Sequence, residues 1–403
     1  GDFSSDLDFG DLVVMAGLVD SHVHVNEPGR TEWEGFATAT RAAAAGGSTT
    51  IVDMPLNSIP PTVSVAALAE KRAAAAGKLA VDVAFWGGLI PGMEGELAPM
   101  VEAGVCGFKS FLVDSGVPEF PPVTAEQLMS ALPVLSDLGV PSLIHAEDPA
   151  QIHEIVGDPR EYGSYLASRP SSGEAAAIET LNRVVAESGA RVHVLHVSSQ
   201  EAVAALAGAA AAMSGETCPH YLTFLAEDIA PGATPFKCAP PIRTAEHREA
   251  LWRGLIDGTL SMVVSDHSPA PAAIKDVEHG HFGDAWGGIG SLQLRLPATW
   301  TGASERGVQL GDLSRWLARA PAELAGIDDR KGSITPGLDA DFVVWDPDGA
   351  TVVRGADLEH RHPVTPYEGM RLRGRVEATI LGGETVFDGA EVVGGRGRML
   401  RRR

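Results

Sequence analysis

Cysteine and positive charge are both scarce in this chain, and each shortage excludes a class of protein. Three cysteines among 403 residues are an odd number in a chain too large to need a disulfide framework, so we expect a reducing cytoplasm. The 31 lysines and arginines are outnumbered by 53 aspartates and glutamates, giving a formal net charge of −22. Nucleic acids and anionic membrane surfaces attract clustered positive charge, so we expect neither as a partner.

Long apolar runs are also absent from the sequence. A membrane-spanning helix needs about 20 consecutive apolar residues, and the runs here are shorter. The N-terminus lacks a charged start followed by an apolar stretch, so no secretion signal is expected. The length permits a large buried core and roughly one to three domains.

Short apolar runs alternate with alanine-rich helical patterns over the first two thirds of the chain. Such alternation is typical of a parallel sheet with helical crossovers. Eight units fit a (β/α)8 TIM-like barrel, with a doubly wound open sheet as the alternative. The predicted strands are residues 17–24, 48–55, 79–89, 105–112, 141–147, 192–198, 214–221 and 261–268. The predicted helices include residues 32–45, 63–76, 125–138, 174–187, 200–212 and 246–256.

From residue 332 onward, short strands and glycine-rich turns predict a small β-sandwich beside the barrel. We therefore predict a barrel over residues 17–331 and a sandwich appendage built from residues 1–16 and 332–403. The basic tail, residues 396–403, is expected to be a solvated end.

His22 and His24 end the first apolar run and are separated by one residue. Side chains at positions i and i+2 of a strand point the same way, so both imidazoles could hold one metal ion. A pair of satisfied core histidines is the alternative interpretation.

Further polar side chains close other predicted strands. In a barrel the active site lies at the C-terminal ends of the strands, so these residues would meet at one mouth. Each has an ordinary explanation alone, such as a solvent-facing lysine or a helix cap, but their joint occurrence favours a metal site. These residues are Lys109, His145, His196 and Asp266.

Short motifs surround these positions. They are Asn26-Glu27-Pro28-Gly29-Arg30, Asp53-Met54-Pro55-Leu56-Asn57, Gly107-Phe108-Lys109-Ser110-Phe111, Cys218-Pro219-His220-Tyr221, Ser265-Asp266-His267-Ser268-Pro269 and Ala285-Trp286-Gly287-Gly288-Ile289. Together they resemble the amidohydrolase superfamily, and within it the cyclic amidohydrolases, over nearly the whole chain. The motifs are most specifically similar to those of allantoinases.

The resemblance implies a binuclear metal hydrolase. Two divalent ions are expected, with Zn²⁺ as the first choice and Co²⁺, Mn²⁺ or Fe²⁺ as alternatives. Lys109 would be carboxylated by CO2 to N6-carboxylysine and bridge the ions, and burial favours this because it lowers a lysine pKa. Asp266 would be both a metal ligand and the catalytic proton carrier. The implied metal ligands are His22, His24, Lys109, His145, His196 and Asp266.

Side chains near the metal site favour one substrate within the family. Dihydroorotases carry an arginine that grips the substrate carboxylate where this chain has Asn26, and an asparagine where it has Ala239. A neutral pocket suits allantoin, so the resemblance implies opening of its hydantoin ring to allantoate, a step of purine degradation. Residues expected to contact the substrate are Asn26, Ala239, Gly287, Gly288 and Ile289.

Other functions stay open at this point. A hydantoinase or dihydropyrimidinase usually has a tyrosine shortly after the lysine, where this chain has Ser110, Phe111 and Leu112. A dihydroorotase is a further alternative, and a non-catalytic scaffold on the same fold is a remote one.

The resemblance also concerns assembly and the ends of the chain. It implies a homo-oligomer, expected to be a tetramer. The family has a longer segment before the first metal histidine, whereas 21 residues precede His22 here, so we expect an incomplete N-terminal part of the sandwich. For the loop at residues 270–284, a lid and a plain surface loop are both open.

Overall fold

The computed structural model describes residues 8–402, in which a barrel of parallel strands lies beside an antiparallel sheet, as the sequence predicted. The strands are β1 (Val13–Ala16), β2 (Leu18–Val23), β3 (Ser48–Asp53), β4 (Asp82–Phe85), β5 (Gly87–Gly88), β6 (Phe108–Phe111), β7 (Ser142–His145), β8 (Val192–Val194), β9 (Met213–Thr217), β10 (Met262–Val263), β11 (Phe342–Val352), β12 (Arg371–Leu381) and β13 (Glu384–Phe387). The α-helices are α1 (Phe36–Ala45), α2 (Val65–Ala75), α3 (Leu97–Glu102), α4 (Ala125–Asp137), α5 (Tyr162–Ser168), α6 (Ser171–Ser188), α7 (Gln200–Ala207), α8 (Pro219–Thr223), α9 (Ala245–Asp257), α10 (Arg295–Glu305), α11 (Leu310–Ser314) and α12 (Ala320–Ala325). Across residues 8–402, we find no helix with the length and apolar character needed to cross a bilayer.

Strands β2 to β10 fill eight positions of a barrel within the described residues. Strands β4 and β5 share one position, because only Trp86 separates them, and they pair in parallel with β3 and β6 respectively. The other neighbours also pair in parallel, in chain order. The ring closes where the amide of His24, just after β2, donates to the carbonyl oxygen of His267, after β10, at 2.8 Å.

The local sequence explains the layers of the barrel. Every residue of β3 is buried, and its run of β-branched side chains suits a strand covered on both faces. In the outer layer, helix α4 begins with a capping box, in which the Thr124 hydroxyl accepts from the Gln127 amide and the Gln127 side chain accepts from the Thr124 amide. The strands at residues 192–198 and 261–268 are shorter than predicted, because left-handed backbone at His196 (φ 38°) and Asp266 (φ 44°) turns the chain.

The antiparallel sheet has the order β1-β11-β12-β13. Strand β1 pairs antiparallel with β11, with Val13 opposite Trp345, so residues on both sides of the barrel in sequence meet in one sheet. Part of the predicted appendage, residues 1–7 and residue 403, lies outside the described residues, and the domain boundaries at residues 17 and 331 stay a prediction.

Two features attach the sheet and the C-terminal tail to the barrel. The ammonium of buried Lys331 donates to Asp82 Oδ2 in β4 at 2.7 Å and to Asp341 Oδ2 beside β11 at 2.6 Å. The tail is solvated only in part: Arg396, Arg398 and Arg401 are exposed as expected, but the Leu400 amide donates to the Val83 carbonyl and the Leu400 side chain is buried. Apolar burial and pairing with an exposed strand edge explain this difference.

Candidate metal centre

The strand ends bring the predicted ligands together at the mouth of the barrel. His22 lies in β2, Lys109 in β6 and His145 at the end of β7, and all three are buried. His24, His196 and Asp266 follow β2, β8 and β10, where the chain turns over the mouth.

Asp266 lies at the centre of the first group of ligands. Its Oδ1 is 3.1 Å from Nε2 of His22 and 3.6 Å from Nε2 of His24. One ligand atom from each of these three residues lies within 4.8 Å of the others, a spacing that fits a single metal ion. Burial alone would raise the pKa of Asp266. Interactions of its carboxylate with His22 and His24 outweigh this effect and hold the pKa well below its usual range.

A second pair of histidines lies across the mouth. Nδ1 of His145 is 3.0 Å from Nε2 of His196, and the rings of His196 and His22 have centroids 5.4 Å apart. Lys109 lies beside the first group, with Nζ 3.2 Å from Nε2 of His22. Burial lowers the pKa of Lys109 to about 8, which makes its free amine accessible near neutral pH.

Buried carboxylates fix the orientation of two of the rings, and the sequence analysis did not identify them. Glu216 Oε1 in β9 lies 2.6 Å from Nδ1 of His22, and Glu147 Oε2 lies 2.7 Å from Nε2 of His145. Burial alone would raise the pKa of Glu216, but His22 and His193 lower it to about 2. Such contacts orient the opposite ring nitrogen towards the other predicted ligands, as a metal ligand requires.

Left-handed backbone is concentrated at this mouth. Besides His196 and Asp266, the non-glycine residues Asn26 (φ 65°) and Asn57 (φ 68°) adopt positive φ. Such conformations cost about 1–3 kcal/mol each and are retained where the surrounding structure needs them. Asn57 places Nδ2 3.4 Å from Nδ1 of His24, so it is a neighbour of the centre that sequence reasoning missed.

A cavity of about 610 Å³ opens above these residues. Of the predicted substrate contacts, Ala239, Gly287 and Gly288 line the cavity, whereas Asn26 and Ile289 are buried and do not line it. The roles of all five stay a prediction. The lining also contains polar and aromatic side chains that were not predicted: Trp33, Asn57, Tyr165, Arg169, Lys237, Ser268 and Trp286.

The cationic side chains of the wall already have partners. Arg169 forms an ion pair with Glu147, the carboxylate that also contacts His145. Lys237 donates to the carbonyl oxygen of Ala285 at 2.6 Å. Arg169 therefore has a counter-ion, whereas the partners of Lys237 are backbone carbonyl oxygens.

Comparison with known proteins identifies the family. Residues 13–386 match the model of the Amidohydrolase family. The chain belongs to this family. The match confirms the resemblance inferred from the motifs.

Similar proteins are found among both sequences and structures of amidohydrolases. An allantoinase of Streptomyces avermitilis is 49% identical over 402 residues, covering 98% of this chain and 89% of the relative. An allantoinase of Saccharomyces cerevisiae is 45% identical over 393 residues, covering 94% and 84%. An L-hydantoinase (dihydropyrimidinase) structure from Arthrobacter aurescens superimposes with a TM-score of 0.92 at 30% identity, covering 100% of this chain and 92% of that one.

The donor set of this amidohydrolase fits divalent metal ions. Burial lowers the pKa of His24 to about 3 and that of His196 well below its usual range, so both imidazoles are in the neutral form that binds metals. Nδ1 of His196 and the polar side-chain atoms Oδ1 and Nδ2 of Asn26 are buried without a hydrogen-bond partner among the described residues. Nitrogen and carboxylate donors of this kind suit Zn²⁺, Co²⁺ and Mn²⁺.

Proposed function

We propose that this amidohydrolase hydrolyses the hydantoin ring of allantoin to give allantoate, a step of purine degradation. The observation that supports this most directly is the cluster of His22, His24 and Asp266, with Lys109 Nζ 3.2 Å from His22 Nε2. His24, Lys109 and Asp266 line a substrate-sized cavity. The choice of allantoin rests on the similarity to allantoinases from Streptomyces avermitilis and Saccharomyces cerevisiae.

The proposal includes two divalent metal ions, with Zn²⁺ as the expected ion. His22, His24 and Asp266 would hold one, and His145 and His196 the other, with Lys109 carboxylated by CO2 between them. Bound there, the ions would polarise the ring carbonyl and lower the pKa of water. The depressed pKa of Lys109 supports the carboxylation, because only the neutral amine reacts with CO2.

Hydrolysis adds water across an amide C–N bond, and in this proposal Asp266 carries the proton. Its carboxylate is ionised, so it can accept a proton from the attacking water and donate it to the departing ring nitrogen. Glu216 and Glu147 take no part in the proton transfer; they hold the rings of His22 and His145 in one orientation.

The cavity wall suits an uncharged substrate. Arg169 has Glu147 as its counter-ion, and Lys237 is held by the backbone carbonyl oxygens of Gly283 and Ala285. An unpaired carboxylate in this cavity would cost several kcal/mol. Dihydroorotate is therefore expected to be a poor substrate and allantoin a good one.

A substrate panel tests the proposal. Metal-loaded protein is assayed with allantoin, hydantoin, dihydrouracil and dihydroorotate, and Asp266→Asn is the matched control. Allantoin should give the largest kcat/KM, and the control should be inactive on all four. A preference for hydantoin or dihydrouracil would instead identify the protein as a hydantoinase or dihydropyrimidinase. This second candidate function is favoured by the similarity to the Arthrobacter aurescens enzyme.

We also propose a homotetramer in a reducing cytoplasm. The three cysteines, which are all free thiols in the structure, support the reducing compartment. Light scattering of the purified protein measures the number of subunits, and a monomer would contradict the assembly.

A further inference from the structure

The cavity wall at residues 283–288 contains neither helix nor strand. It nevertheless positions Trp286, Gly287 and Gly288 at the cavity. Three backbone hydrogen bonds join it to residues outside it, from the Ala285 amide to the His281 carbonyl at 3.1 Å, from the Trp286 amide to the Ile274 carbonyl at 2.7 Å and from the Gly288 amide to the Lys237 carbonyl at 2.9 Å. In these three bonds the wall donates, so its own carbonyl oxygens need other partners.

Lys275 supplies those contacts from behind the wall. Its side chain is buried, and Nζ donates to the carbonyl oxygens of Lys237 at 3.1 Å, Trp286 at 3.1 Å and Gly288 at 2.7 Å. An ammonium has three N–H donors, so these acceptors satisfy it completely. Within residues 8–402 no carboxylate forms an ion pair with Lys275, and its three acceptors are all backbone carbonyl oxygens, two in the wall and one at Lys237.

This arrangement is costly, which argues that it has a specific role. Burying a lysine without a counter-ion is unfavourable, and burial lowers the pKa of Lys275 to about 7. A methionine would fill the same space without that cost.

A second lysine holds the same wall from the cavity side. Lys237 Nζ donates to the carbonyl oxygens of Gly283 at 3.3 Å and Ala285 at 2.6 Å. The ring of Trp286 in turn packs edge-on against Trp33, with centroids 4.8 Å apart, and both rings line the cavity. Movement of the wall would therefore alter the width of the cavity at its rim.

We infer that Lys275 is a positioning residue for substrate binding, which holds the carbonyl groups of the wall at residues 283–288 and thereby sets the shape of the cavity. The kinetic part of this inference rests on the proposed function. Lys275 does not line the cavity, so it acts through the backbone rather than on the substrate.

The test replaces Lys275 with Met, which keeps the length and removes the donors. Hydrogen exchange of the amides at residues 274–288 should become faster, with unchanged exchange in the barrel strands. KM for allantoin should rise about tenfold while kcat changes by less than about threefold, because the lost interaction concerns binding. Metal content should stay that of the unmodified protein.

Two further variants keep the test decisive. Leu206→Ala, in the outer helix α7, is the control for a general loss of stability and should keep the original KM. Lys275→Gln, which retains two donors, should give an intermediate result and replaces the Met variant if that one does not fold.

The possible outcomes separate this inference from the proposed function. Original exchange rates and KM in the Lys275 variants would overturn the inference, and so would an equal rise of KM in Leu206→Ala. If allantoin is not the substrate, the exchange measurement still decides whether Lys275 holds the wall.

Discussion

Replacement of Glu216 by Gln should weaken metal binding without changing a metal ligand. Glu216 is fully buried, and its two oxygens contact Nδ1 of His22 at 2.6 Å and Nε2 of His193 at 3.1 Å. Gln keeps the size and can hydrogen-bond to both rings, so the change removes mainly the negative charge.

The size of the effect follows from the contact that is weakened. A hydrogen bond to a buried charged group contributes about 1.5–3 kcal/mol, against about half of that for a neutral one. The loss is then about 0.75–1.5 kcal/mol, and since about 1.4 kcal/mol is a factor of ten, the affinity of the His22 site for metal should fall about threefold to tenfold.

Chelator titration measures this directly. The protein is loaded with Zn²⁺, equilibrated with increasing chelator, and the metal retained per chain is determined by elemental analysis. The control His193→Gln changes the other partner of Glu216 and leaves the contact with His22, so it should shift the titration less. Identical titrations for Glu216→Gln and the unmodified protein would refute the role assigned to this carboxylate.

Three other predictions test different parts of the structure. Lys109→Ala and Lys109→Arg should both lose metal and activity, because neither side chain forms a carbamate. Short carboxylates added to the Ala variant should partly restore its activity. An active Arg variant would show that Lys109 has only a packing role. Gly288→Ala should lower Tm and raise KM much more than Gly287→Ala. A Cβ at residue 288 would lie 2.3 Å from the Ser268 carbonyl oxygen, whereas a Cβ at residue 287 would lie 3.8 Å from its nearest atom. Equal effects of the two variants would contradict a tightly packed wall at Gly288. Burial lowers the pKa of His360 to about 4, so its contribution to stability is fully present above pH 6.5 and is lost as the pH falls towards 4, by at most about 3 kcal/mol. Denaturant unfolding of His360→Gln should therefore depend less on pH in that window, and an unchanged dependence would contradict the assignment.

The strand pattern and the residues that end the strands could be predicted because both are local in sequence. Apolar runs bounded by helical patterns gave the eight barrel positions, and the parallel arrangement placed His22, His145 and Asp266 at one mouth. The barrel and the family membership are confirmed.

The supporting residues could not be predicted in the same way, because their partners are distant in sequence. Glu216 lies 194 residues from His22, and an acidic residue inside the predicted strand at residues 214–221 was the signal that could have found it. Lys275 and Arg169 act from segments whose path over the mouth is set by tertiary contacts rather than by periodicity. Asn26 shows the converse: a motif position pointed to the substrate, yet its side chain is buried outside the cavity lining.

The seam of the barrel has a consequence for the order of events during protein synthesis. The ring closes between His24 and His267, and the Ser265 hydroxyl donates to the carbonyl of His22, 243 residues earlier in the chain. A growing chain therefore exposes the first two histidines long before Asp266 has been made. The donor set of His22, His24 and Asp266 is complete only when the last strand docks, so binding of an ion by these three residues would require that translation has passed β10 and that the barrel has closed.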